Sequence, residues 1–272
     1  NTFEIAKLSA RRKSTKNIIC VGRLNDHVKR VDRIIEVFGR VQKDAPDVTL
    51  TLVGSLDREA PTADANGRSI NDLIEKSGIE INRINFVGET TNMAEYYTNA
   101  DLILLTSETE GFPMVLTEAM CYGLPVVCGD IPGLEDVVID GFNGFVVEQD
   151  DLDMMAKRVL QIISNESLRH SMRCNAQSHV EQFSGKNIAE KWDYLLRKVI
   201  EGKASPAILN KKLWSKTGSR DIFEKRLIKE LDESVRKSLV MAGTLKGFNK
   251  EAKIAKAMRL IRATKRDYAA MG

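Results

Sequence analysis

The chain has 272 residues, 43% of them hydrophobic, with 41 Lys and Arg against 38 Asp and Glu. That apolar share supports a buried core in one large domain or two small ones, and no apolar run reaches the ~20 residues of a membrane-spanning helix. No secretory pattern opens the sequence, so the expected location is cytoplasmic, or peripheral at the inner membrane face. Cys20, Cys121, Cys128 and Cys174 lack metal or disulfide spacing, and three of them sit in apolar patterns, as core thiols of a reducing compartment would. His27, His170 and His179 form no cluster, which argues against zinc.

Residues 1–16 are polar and basic (Arg11-Arg12-Lys13) and read as a linker or the end of something missing. From Asn17 short apolar segments alternate with helical patterns. Strands are expected at 17–22, 48–53, 83–87, 101–106, 125–128 and 144–147, and helices near 28–43, 67–77, 92–98, 113–122 and 133–139. This alternation predicts an α/β domain with a Rossmann-like parallel sheet covered on both faces. Ligands of such sheets bind beyond the carboxyl ends of the strands, where Gly22-Arg23, Gly54, Gly88 and Glu110 fall.

Residues 151–200 read as helical, with Ser184-Gly185 separating the last two helices. Asp151-Leu152-Asp153 has the form of a metal-binding acidic motif, but at a helix start carboxylates stabilise the dipole, and that plainer role is expected. Residues 202–218 resemble a linker, and residues 201–272 hold 18 Lys and Arg against 8 Asp and Glu. Helical spacing recurs from Ile222 to Leu239, and around 250–263 Lys250, Lys253, Lys256, Arg259 and Arg262 recur every third residue. This basic helical tail is either a hairpin with solvated cations or an element that meets a membrane surface or a partner. Nothing in it suggests nucleic acid.

The densest chemistry lies in Glu110-Gly111-Phe112-Pro113-Met114-Val115-Leu116-Thr117-Glu118. Two carboxylates flank a loop-to-helix junction. Pro113 suits the first helical position, leaving the N–H groups of Met114 and Val115 to point out of the helix end, where an anion can be held. A phosphate there would lie between two acceptor-only side chains able to grip hydroxyls, the arrangement a sugar nucleotide requires.

With its neighbours this stretch resembles the retaining glycosyltransferases of the GT-B fold, family 4, and specifically their C-terminal donor-binding domain. The resemblance spans roughly residues 17–200. It runs in the family's order through Val21-Gly22-Arg23-Leu24, Lys29, Leu52-Val53-Gly54, Phe86-Val87-Gly88, the Glu110–Glu118 segment, Gly123-Leu124-Pro125-Val126-Val127 and Asp140-Gly141-Phe142-Asn143-Gly144. It implies that Arg23 and Lys29 hold the donor diphosphate in place of a metal, so no cofactor or metal is expected. Glu110 would accept bonds from the donor sugar and Glu118 from the ribose. Met114 and Val115 would offer backbone N–H groups, while Gly111 and Phe112 shape the loop. Gly22 and Gly54 would permit close approach, and Gly88 would border the base.

The implied donor is a UDP- or GDP-sugar, and the acceptor a polysaccharide, glycolipid or similar conjugate. The acceptor is expected on a missing N-terminal domain, because Asn1 stands where the second domain of such an enzyme would begin. One departure bears on the base: Gly54-Ser55-Leu56 replaces the family's usual Gly-x-Gly, and a polar insert (residues 57–67) follows. Two other classes fit the same segments less well, a sugar-nucleotide epimerase or hydrolase of the same fold and a non-catalytic interaction module.

Overall fold

A computed structural model describes residues 15–200. The described residues form a parallel sheet of six strands: β1 (Asn17–Val21), β2 (Thr49–Val53), β3 (Ile84–Gly88), β4 (Leu102–Leu105), β5 (Val126–Gly129) and β6 (Gly144–Val147), in the order β3-β2-β1-β4-β5-β6. This is the Rossmann-like arrangement the alternation predicts. The order in which strands are added reverses between β1 and β4, which run parallel, and the crevice beyond their carboxyl ends is the ligand position in such sheets.

The strands read as unbroken apolar runs because they are buried on both faces. Successive side chains alternate between two cores. Ile18, Cys20, Leu50, Leu52, Leu102 and Leu104 enter one, while Ile19, Val53, Ile103, Leu105, Val126 and Cys128 enter the other. Against the first pack α1 (Val31–Asp44), α2 (Ile70–Ser77) and α5 (Leu152–Ser164); the second takes apolar residues of α3 (Met93–Thr98), α4 (Met114–Cys121) and α6 (Glu166–Val180). Helix α1 supplies Ile34, Phe38 and Val41 at helical spacing, and α2 begins at a capping box between Ser69 and Asp72 and stops at Gly78.

Two expected elements differ. The helix expected from 28 is split: His27–Lys29 form a 3₁₀ turn capped by Asp26, Arg30 takes a left-handed conformation, and α1 starts at Val31. The helix expected at 133–139 is a series of turns. Gly133 sits at φ 93 after Pro132, and the buried Asn143 side chain takes over the local backbone groups, accepting from the Ile139 N–H (2.8 Å) and donating to the Val137 carbonyl (3.0 Å).

Asp151 caps α5 by accepting from the Met154 N–H, and Asp153 pairs with Arg40 at 2.8 Å, so this acidic motif is occupied by structural work. The chain divides into two compact units between Ser184 and Gly185. That boundary places α7 (Gly185–Ile200) with the second unit, whereas the sequence predicts a domain running from 17 to 200. The expected linker and basic helices of 201–272, and the segment 1–14, lie outside the described residues. Among the described residues no helix is long and apolar enough to cross a membrane.

Candidate active site

The loops after β1 and β4 meet at this reversal of strand order. The Gly22 N–H donates to the Val53 carbonyl (3.0 Å) and the Gly54 N–H to the Gly88 carbonyl (2.8 Å), so the ends of β1, β2 and β3 are tied together. Gly54 has φ 126, and a Cβ on it would fall 1.8 Å from the Gly22 oxygen; only glycine lets these turns approach. Gly22 lies beside Lys29, whose side chain would meet a Gly22 Cβ in ordinary contact at 3.5 Å.

From that turn Lys29 reaches the β4 loop. Its Nζ donates to Glu110 Oε1 at 2.7 Å, with the two side chains 17% and 12% exposed. A cation and a carboxylate 81 residues apart thus sit at the crevice mouth, half-withdrawn from water, where their charges act more strongly than on an open surface. Around them the loops are stitched. The Thr106 hydroxyl donates to the carbonyls of Lys29 and Arg30 (both 3.0 Å), and the Glu108 N–H to the Val28 carbonyl (2.9 Å). From the β6 side, Gln149 donates to the Ser107 carbonyl (3.1 Å).

Arg23 is not drawn into this cluster. Its side chain is 82% exposed, and its guanidinium meets Asp26 only at 3.5 Å. Arg30, by contrast, is not the exposed start of a helix that Lys29-Arg30 suggests in sequence. Its guanidinium is tucked in and pairs with Asp32 and Glu108, holding it charged.

Helix α4 begins one residue later than expected, with Pro113 at the capping position (φ −78, ψ 73). The Met114 N–H, expected to point outward, donates instead to the Phe112 carbonyl (2.8 Å). No hydrogen bond among the described residues engages the Val115 N–H, which leaves it as the outward donor of this helix end. Gly111 is exposed, and Phe112, also exposed, meets Phe183 edge-on with ring centroids 5.6 Å apart. Glu118, in the second turn of α4, accepts from the Tyr97 hydroxyl at 3.2 Å. Tyr97 is 1% exposed and stacks near Tyr122; burial, then the Glu118 charge, raises its phenol well above the usual range, so it stays a donor. Gly88 closes β3 at φ 75 on the same side.

The structure therefore gathers Gly22, Lys29, Gly54 and Glu110, with the Val115 N–H close by in sequence, and supports Glu118 from Tyr97. Sequence reasoning misses Arg30, Thr106, Glu108 and Tyr97. Thr106 carried a signal, a hydroxyl closing an apolar strand; the others did not.

A Rossmann-like sheet with a cation, a carboxylate and a helix end gathered at its switch point has its ligand position beyond the strand ends, where these groups lie. A profile of the glycosyl transferases group 1 family matches residues 1–179, and the chain belongs to that family. It is similar to the N-acetyl-alpha-D-glucosaminyl L-malate synthase of Bacillus anthracis, 31% identical over 174 residues, covering 64% of this chain and 43% of the relative. It is also similar to the poly(glycerol-phosphate) alpha-glucosyltransferase of Bacillus subtilis, 28% identical over 193 residues, covering 71% of this chain and 27% of the relative. The chain thus spans less than half the length of these relatives. Among solved structures, a variant of S. aureus TarM in complex with fondaparinux, alpha-GlcNAc-glycerol and UDP matches with TM-score 0.61 and 28% identity, covering 71% of this chain and 37% of that one. This GT-B neighbour shares the parallel sheet with flanking helices.

Proposed function

We propose that the unit ending at Ser184 forms the donor-binding half of a retaining, metal-independent glycosyltransferase of family 4. The donor is a UDP- or GDP-sugar and the acceptor a polysaccharide, glycolipid or similar conjugate. The observation that carries this is the Lys29–Glu110 pair at the β1–β4 reversal, at the mouth of the loop that leads into α4. Lys29 and the Val115 N–H offer positive charge to a diphosphate as it departs, the point at which fixed donors stabilise a transition state most. Arg23, long and solvated, joins them by swinging inward. Glu110 accepts from the sugar hydroxyls and Glu118 from the ribose. The donor phosphate takes up the acceptor proton on the face where the new bond forms, which retains the anomeric configuration.

UDP is favoured by its presence in the TarM complex, and a polymeric acceptor by the name of the B. subtilis relative. The acceptor belongs to the part of the relatives' length that this chain does not span. The basic residues 201–272 are proposed to meet an anionic membrane surface at the cytoplasmic face, on the strength of their charge.

The test is calorimetric titration of the chain with UDP, GDP and ADP, beside Lys29→Ala and Arg23→Ala. Binding of one uridine or guanosine diphosphate, weakened by about tenfold or more in Lys29→Ala, is expected. Equal affinity of wild type and Lys29→Ala would refute this placement of the diphosphate.

A further inference from the structure

Arg30 holds a backbone conformation (φ 50, ψ 52) that a side chain enters only at a cost and glycine enters freely. Lys16 is the other non-glycine residue at positive φ among the described residues, and it lies far from the crevice, before β1. Strained residues persist where the surroundings over-determine them, and they gather at binding sites. The surroundings of Arg30 do this. Its side chain is 15% exposed; Nε donates to both Asp32 oxygens (3.0 and 3.2 Å), Nη2 to Asp32 Oδ2 (2.7 Å) and Nη1 to Glu108 Oε1 (2.7 Å).

These bonds join two loops. Asp32 anchors the guanidinium to the first turn of α1, and Glu108 carries it to the loop after β4. Thr106 grips the Lys29 and Arg30 carbonyls from that same loop, and the Glu108 N–H grips Val28. Lys29 is the residue before Arg30, and Glu110 lies two beyond Glu108. The left-handed Arg30 separates the 3₁₀ turn that carries Lys29 from α1, and Lys29 pairs with Glu110.

We propose that Arg30 is a positioning residue for the diphosphate site. It fixes the spacing of the two loops, so the Lys29 ammonium is held in place before a nucleoside diphosphate arrives. A pre-set donor binds more tightly because less ordering remains to be done on binding. The proposal rests on the nucleotide-binding function proposed above.

The experiment titrates UDP into the full chain carrying Arg30→Gly with Asp32→Asn, or Glu108→Gln alone, each with and without Lys29→Ala. The first pair removes both buried charges together and gives glycine the left-handed turn. Glu108→Gln alters a 50% exposed side chain, so it folds and decides the matter even where the double variant does not. The double variant is expected to weaken UDP binding by about tenfold or more, as removing a group that orients a ligating side chain does. Glu108→Gln is expected to weaken it several-fold. Neither weakens binding further once Lys29 is alanine, because both act through Lys29. Unchanged UDP affinity in these variants, with Lys29→Ala still weakened, overturns the role of Arg30. So do losses that add in full to that of Lys29→Ala, which mark general loosening. Wild-type affinity indifferent to Lys29→Ala refutes instead the diphosphate site itself.

Discussion

Neutralising Glu110 should tighten the grip on bare UDP while loosening it on a UDP-sugar. Lys29 Nζ and Glu110 Oε1 lie 2.7 Å apart. Charges about 4 Å apart attract by about 4 kcal/mol at an effective dielectric near 20. Desolvation of both ends offsets much of that, and the pair is neither fully exposed, where the net is ~0–1 kcal/mol, nor fully buried, where breaking it costs ~3–5 kcal/mol. A net of about 1–2 kcal/mol is the working value between those limits. A diphosphate must take Lys29 from Glu110, so Glu110→Gln should strengthen UDP binding by roughly 5- to 30-fold. With UDP-glucose the same change weakens a hydroxyl contact to a charged acceptor, worth ~1.5–3 kcal/mol, and the gain disappears or reverses. Calorimetry with UDP and UDP-glucose on both proteins reads the two shifts directly. Weaker UDP binding by Glu110→Gln, or equal shifts for both ligands, would refute this competition.

Tyr97→Phe leaves the Glu118 carboxylate without its buried donor, and UDP affinity should fall about tenfold while 2′,3′-dideoxy-UDP affinity holds; parallel losses on the two nucleotides would deny Glu118 a ribose role. Gly54→Ala drives a Cβ into the Gly22 oxygen, so chemical denaturation should show a loss of at least ~2 kcal/mol, and wild-type stability would contradict the close approach of the two turns. Burial, with the Glu118 charge second, pushes the Cys121 thiol from 9.0 to about 11, and burial raises Cys20 and Cys128 in the same direction. From about pH 9 to about pH 11 the unfolded chain releases protons that the folded chain still holds, so stability falls as pH rises through that window. Melting temperatures measured from pH 8 to 10 should therefore decline, less steeply in Cys121→Ala; a flat profile would contradict the burial of these thiols.

What the sequence discloses and what it withholds follows from how the sheet is built. Strands β1 and β4 are buried on both faces, so they appear as unbroken apolar runs and their ends, where ligands bind, can be placed within a residue or two. Lys29 and Glu110, which the fold pairs, are legible because charged groups beside apolar strands, in that order, resemble a known family pattern. The turns at 133–139 are not. Leu134, Val137 and Val138 have helical spacing, and only the side chain of Asn143, reaching back along the chain to satisfy that backbone, shows why no helix forms.

Arg30 is hidden for a different reason. Lys29-Arg30 spells two solvated cations, and nothing in the letters states that the second sits at positive φ with its guanidinium folded inward. That conformation makes sense only once β4 is known to lie beside β1. The order β3-β2-β1-β4-β5-β6 brings Thr106 and Glu108 against the turn after β1, and the contacts that tie Lys29 in place span 76 to 81 residues of chain. Residues that touch a ligand leave a motif because the ligand imposes the chemistry on each. Residues that hold those in place answer only to each other across the reversal, and many other pairs could meet that demand. Hence the donors and acceptors of the crevice show in the sequence, while the device that spaces them shows only in the fold.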